Sequence, residues 1–240
     1  MQKEYILVLD SGIGGLSILK ELKKNLPNEN YLYLADNFHS PYGNKKREQL
    51  IEIVDELLKD IFDKFRIKLV IFACNTITCE TIKEMREKYD VAFVGTEPPI
   101  KSVENGKTLV LATKRTIKDS KILKKYKNKN TTFIALKNLA KLLDEDYFNR
   151  DKIYRCLKKQ IKVKPYDNVV LGCTHYYFLQ KEIMDILGNS KINFYTSIDG
   201  VVNRVKSLIK NENQTFPETK ILLTKDDKQL KSLINFILSN

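Results

Sequence analysis

The chain has 240 residues, 42% of them hydrophobic, which is enough for one large α/β domain or two smaller ones and too apolar for a disordered chain. No apolar run approaches the roughly 20 residues that cross a bilayer, and Met1-Gln2-Lys3-Glu4 lacks the layout of a signal peptide, so a cytoplasmic location without membrane contact is expected. A net charge of +12 raises nucleic acid as a partner, but the excess is lysine spread over separate helical patterns such as Lys23-Lys24 and Lys158-Lys159, the pattern of solvated helix faces, and nucleic acid is not expected.

Tyr5-Ile6-Leu7-Val8-Leu9 reads as a strand that stops at Asp10-Ser11-Gly12-Ile13-Gly14-Gly15, after which Leu16, Ile18, Leu19 and Leu22 keep helical spacing. Backbone N–H groups of such a turn can receive a carboxylate or a phosphate. Its glycine spacing fits neither a P-loop nor a dinucleotide fingerprint, and a plain strand-to-helix turn is the alternative. Tyr31-Leu32-Tyr33-Leu34-Ala35 is a second strand, followed by a turn-rich loop from Asp36 to Lys45. Ile51, Val54, Leu57, Leu58 and Ile61 mark an amphipathic helix leading to Val70-Ile71-Phe72-Ala73-Cys74-Asn75-Thr76, a buried strand that ends in a thiol. Val91-Ala92-Phe93-Val94-Gly95 is the next strand, and Pro98-Pro99 then enforce an extended crossover.

From Thr108 the pattern starts again. Leu109-Val110-Leu111 matches Leu7-Val8-Leu9, Ile122-Leu123-Lys124 matches Ile18-Leu19-Lys20, and Thr132-Phe133-Ile134-Ala135-Leu136 parallels the second strand. Val169-Val170-Leu171-Gly172-Cys173-Thr174-His175 parallels the run that ends in Cys74, and offsets of about 100 residues throughout imply a duplicated unit. Ile192-Asn193-Phe194-Tyr195, a helix opened by Asp199-Gly200, the strand Lys220-Ile221-Leu222-Leu223-Thr224 and a last helix through Leu230 and Ile237 complete the chain. The expected fold is α/β: two pseudo-symmetric domains, each a mostly parallel sheet flanked by helices, with the site in the cleft between them. Residues 1–95 plus 210–240 would form the first domain, carrying Asp10 and Cys74, and residues 96–209 the second, carrying Cys173 and His175.

Four cysteines without a C-x-x-C pair give no metal or redox-dithiol motif. Cys79 lies inside a helical pattern and Cys156 on a charged one, and neither is expected to react. Cys74 and Cys173 each stand where a strand stops and a helix begins, and each is followed by hydrogen-bonding residues. Either alone would pass for a buried core residue. As a pair on opposite walls of a cleft, they suit removal of a proton from one face of a carbon and return of a proton to the other. A helix N-terminus lowers a thiol's pKa, and His175 and Asp10 are candidates to exchange protons with Cys173 and Cys74, respectively.

Asp10-Ser11-Gly12-Ile13-Gly14-Gly15-Leu16-Ser17, Pro41-Tyr42-Gly43-Asn44-Lys45, Ala73-Cys74-Asn75-Thr76 and Leu171-Gly172-Cys173-Thr174-His175-Tyr176 resemble the signatures of glutamate racemase, in the aspartate/glutamate racemase superfamily. The resemblance covers nearly the whole chain. It implies cofactor-independent interconversion of L- and D-glutamate, without pyridoxal phosphate or metal, to supply peptidoglycan synthesis. It also implies a homodimer. By the same resemblance Cys74 handles the α-proton of the D-isomer and Cys173 that of the L-isomer. Asp10, Ser11, Pro41, Tyr42, Gly43, Asn75, Thr76, Thr174 and His175 line the substrate, and Thr116 reaches a carboxylate. Where the family usually has Glu, this chain has Asp144 followed by Glu145, so either acid is a candidate to support His175; Pro99 stands where Ala is common. A racemase of the same superfamily acting on aspartate or another amino acid, and a basic binding protein on this fold, are the alternatives.

Overall fold

A computed structural model describes residues 3–209 and 216–240. The run of apolar and β-branched residues at the start forms β1 (Glu4–Asp10), and the glycine turn releases it into α1 (Leu16–Asn25). Next come β2 (Tyr31–Ala35), α2 (Arg47–Lys64), β3 (Arg66–Phe72), α3 (Asn75–Lys88) and β4 (Ala92–Gly95). The second cycle runs β5 (Thr108–Ala112), α4 (Lys114–Asp119), α5 (Lys121–Lys125), β6 (Thr131–Ala135), α6 (Leu139–Asp146), α7 (Arg150–Lys158), β7 (Asn168–Gly172), α8 (Gln180–Leu187) and β8 (Asn193–Tyr195). The chain closes with α9 (Ile198–Leu208), β9 (Thr219–Leu223) and α10 (Lys228–Ser239).

The strands form two parallel sheets, one ordered β4-β3-β1-β2-β9 and the other β6-β5-β7-β8. Read from the other edge, the second is β8-β7-β5-β6, the same order as β4-β3-β1-β2, as the duplicated pattern requires. The last strand joins the first sheet beside β2, with Tyr31 opposite Thr219. The domain boundary expected at residue 210 lies outside the described residues.

Alternation along β1 explains why both faces of the first sheet are covered. Ile6 and Val8 face a core shared with α1 and α10, while Leu7 and Leu9 face α2 and α3. Leu16, Ile18, Leu19 and Leu22 of α1 are wholly buried, and α1 packs on both α9 and α10.

The second cycle departs from the first in two places. Where the match to Ile18-Leu19-Lys20 predicts one helix, there are two short ones, α4 and α5. The break falls at Ser120, whose extended backbone ends α4 and whose hydroxyl accepts from Leu123 N–H at 3.3 Å, capping α5. The helix expected directly after Cys173 begins as a tighter 3-10 segment, Thr174–Leu179, and becomes α8 only at Gln180.

Candidate active site

Parallel strands ending together bring their following loops to one edge. The loops after β1, β2 and β3 and those after β5, β6 and β7 line one cavity of about 280 Å3. Ser11, Pro41, Tyr42, Gly43, Cys74 and Thr76 come to it from the first sheet, and Cys173 and His175 from the second. The two thiols are 8% and 7% exposed, so each touches the cavity from an otherwise buried position. A larger cavity of about 490 Å3, between the crossover at Pro98-Pro99 and the start of α9, holds neither thiol.

The remaining expected residues lie behind this wall. Asp10 is fully buried: one carboxylate oxygen accepts from Gly15 N–H at 2.6 Å, and the other has no hydrogen-bond partner. The Asn75 amide donates to the Thr96 carbonyl at 3.0 Å while its own oxygen is unpartnered, as is the buried Thr174 hydroxyl. Thr116 stands one step back, its hydroxyl 2.9 Å from that of Thr113, which lies 3.3 Å from Thr76 Oγ1. This chain of hydroxyls joins α3 to α4 across the two halves. One helical turn beyond Thr76, Glu80 pairs with Arg115 of α4 at 3.4 Å.

The choice of acid beside His175 falls on Asp144. Its Oδ1 lies 2.9 Å from His175 Nε2 and also accepts from Ile13 N–H at 3.0 Å. Glu145 is exposed and pairs with Lys141 at 3.6 Å. Burial opposes a charge on His175, but the adjacent Asp144 carboxylate, with Cys173 as a hydrogen-bond partner and Asp10 nearby, holds its pKa well above the ordinary histidine value.

Cys74 differs from the sequence expectation. Its backbone position at the start of α3 does supply N–H groups, from Ile77 and Thr76, that favour a thiolate. Burial outweighs them, the negative Asp10 adds to it, and the thiol's pKa stands well above its ordinary value. Cys74 therefore rests as a protonated thiol at neutral pH. Cys79, inside α3, is pushed up to about 12, chiefly by burial, and Cys156 lies in α7; neither lines the cavity.

Burial also raises the Asp10 carboxyl to about 6, against lowering by His175 and by the N–H groups of Gly15 and Ser11. A carboxyl raised in the folded state costs stability once it is ionised, fully above its folded pKa and not at all below its unfolded one. Asp10→Asn is therefore expected to melt higher than the parent at pH 8, by up to roughly 3 kcal/mol, with the gap closing as pH falls through 6 toward 4. Calorimetric melts across that range check the sign.

Sequence reasoning missed Thr113 and Asp36. Thr113 caps α4 and lines the cavity. Its signal was positional, since it follows β5 as Ser11 follows β1. Asp36 is fully buried and accepts from Tyr42 OH at 2.8 Å and Thr224 OH at 2.7 Å, with His39 Nδ1 at 2.9 Å. It thereby anchors the Pro41-Tyr42-Gly43 loop against the cavity. Its partners lie up to 188 positions away, and no local pattern announces them.

Two parallel sheets of equivalent order, each delivering a thiol to a shared cavity, make this an α/β protein with one two-walled site. No protein-family model matches the chain. It is 36% identical to the glutamate racemase of Buchnera aphidicola subsp. Acyrthosiphon pisum (strain Tuc7) over 97% of this chain and 95% of that protein. It is 34% identical to the glutamate racemase of Clostridium botulinum (strain Okra / Type B1) over 88% of this chain and 86% of that one. The structure of Escherichia coli glutamate racemase in complex with L-glutamate superposes with a TM-score of 0.83 at 27% identity, covering 98% of this chain and 95% of that one. The chain belongs to the glutamate racemase family.

Proposed function

We propose that the chain interconverts L- and D-glutamate without a cofactor, using Cys74 and Cys173 as the two proton-transfer groups, and so supplies D-glutamate for peptidoglycan. The observation that carries this reading is the pair of thiols on one cavity, one from each sheet. Similar proteins crystallised with L-glutamate and with D-glutamate support a small-molecule substrate. In the L-to-D direction the Cys173 thiolate removes the α-proton, and Cys74, at rest a protonated thiol, returns its proton to the opposite face. The Cys74 thiolate and the Cys173 thiol then reset by exchanging protons with water.

In this reading the residues behind the wall have separate tasks. The positive His175, held by Asp144, stabilises the Cys173 thiolate, and Asp10 serves Cys74. Hydroxyls and amides of Ser11, Asn75, Thr76, Thr116 and Thr174, with the backbone N–H groups of Tyr42 and Gly43, hold the two carboxylates, and Pro41 lines the space beside them. The unpartnered Thr174 hydroxyl supports this, because buried polar groups ordinarily have partners, while the unpartnered Asn75 oxygen, an acceptor, suits the substrate's ammonium group. Residues 1–95 with 210–240 and residues 96–209 act as two lobes, a division supported by the pairing of β9 with β2. The protein works in the cytoplasm as a homodimer.

Circular dichroism of D-glutamate and D-aspartate, incubated separately with the protein, tests the substrate. Ellipticity is expected to decay to zero with D-glutamate and to persist with D-aspartate. Decay with D-aspartate alone favours the aspartate alternative, and decay with neither removes the racemase reading.

A further inference from the structure

The cavity wall contributed by the second half carries Lys114, Lys137 and Lys141, and no carboxylate lines the cavity among the described residues. Lys114 is the first residue of α4, immediately after the cap Thr113. Lys137 and Lys141 flank the start of α6. Lys141 has Glu145 at 3.6 Å, whereas Lys114 and Lys137 enter no ion pair among the described residues.

The loop that presents Lys137 is tied down on both sides of its backbone. Gln160 accepts from Lys137 N–H at 2.7 Å and donates to the Lys137 carbonyl at 3.1 Å. Leu136 N–H bonds the Ala112 carbonyl at 3.1 Å, which fixes the residue before. Asn138, the residue after, adopts φ 60°, a left-handed conformation that asparagine accepts readily and that turns the chain into α6. A loop so anchored is a fixed wall of the cavity.

Its charges answer an electrostatic difficulty. A dicarboxylic amino acid must bring two negative groups into a partly enclosed space beside buried Asp10 and, during the reaction, a thiolate. Low-dielectric walls strengthen that repulsion, and they equally strengthen attraction to cations at the rim. We propose that Lys114, Lys137 and Lys141 form a cationic collar at the cavity rim that attracts a dicarboxylic amino acid and holds it on encounter, before the hydroxyl and N–H groups within take up its carboxylates. This rests on the racemase reading of the same site. The collar acts on encounter and ground-state binding, so its loss falls on KM rather than on kcat.

The test compares the parent with Lys114→Gln, Lys137→Gln and the double variant, using D-glutamate at ionic strengths of about 0.01 and 0.1 M, where screening lengths differ about threefold. Lys164→Gln, at an exposed lysine away from the cavity, removes the same charge and serves as control. Each collar variant is expected to raise KM roughly two- to fivefold, the scale of a solvent-exposed ion pair, and the double variant should lose most of the parent's rise in KM with salt. A double variant with the parent's KM and salt dependence, or a control that matches it, overturns the collar. Calorimetric binding of glutarate, a dicarboxylate without an amino group or a chiral centre, reads the collar without turnover. Lysine-dependent glutarate binding in a parent that racemises nothing overturns the racemase reading alone; lysine-independent binding, or none, overturns the collar.

Discussion

Replacing either thiol, in Cys74→Ala or Cys173→Ala, is expected to lower glutamate racemisation by about a thousandfold or more, the scale of a lost general acid or base. The two transfers occur on opposite faces of one carbon, so neither sulfur can substitute for the other. Exchange of the α-hydrogen in deuterated water should slow together with the decay of ellipticity in both variants. Both side chains are small and in contact with the cavity, so folding should survive; an unchanged melting temperature separates chemistry from collapse. If both variants racemise at the parent rate, the two-thiol mechanism is wrong.

Gly14→Ala is expected to damage both stability and activity. A Cβ there would lie 2.4 Å from His175 Nδ1, 2.5 Å from Thr174 Oγ1 and 2.8 Å from the His175 backbone nitrogen. Side chains can rotate away from a clash, but the backbone nitrogen of the strand-end segment cannot. Overpacking of this kind costs about 1–3 kcal/mol, a fall in melting temperature of several degrees for a chain of this size. Activity should fall further than stability, because moving a reacting group by about 1 Å can cost a hundredfold. Gly200→Ala in α9 is the contrast, since nothing lies within 4 Å of its added carbon, and it should be neutral or slightly stabilising. Equal melting temperatures and rates for Gly14→Ala and the parent would show that the turn and His175 are not held in register.

The architecture was legible because it is written in short apolar runs. Leu7-Val8-Leu9 and Leu109-Val110-Leu111 announce equivalent strands, and the two sheets repeat their order accordingly. Cys74 and Cys173 stood out for the same reason, each placed just past the end of such a run. What the sequence could not decide was contact between distant segments. Asp144 lies 31 positions from His175 and 131 from Ile13, yet bonds both. Nothing in the spacing chose it over Glu145, which points its charge at a lysine instead. The high pKa of Cys74 was equally hidden, since a helix start read from sequence says nothing about how much solvent reaches the sulfur.

The single oxygen of Asp144 that accepts from both Ile13 and His175 has a mechanical consequence. Ile13 belongs to the first half of the molecule, and His175 and Asp144 to the second. That one oxygen therefore fastens the glycine turn after β1 to the segments that follow β6 and β7. A shift of one cycle against the other is felt first at the carboxylate that holds the His175 ring, so the register of the two sheets and the orientation of the imidazole are set by the same atom.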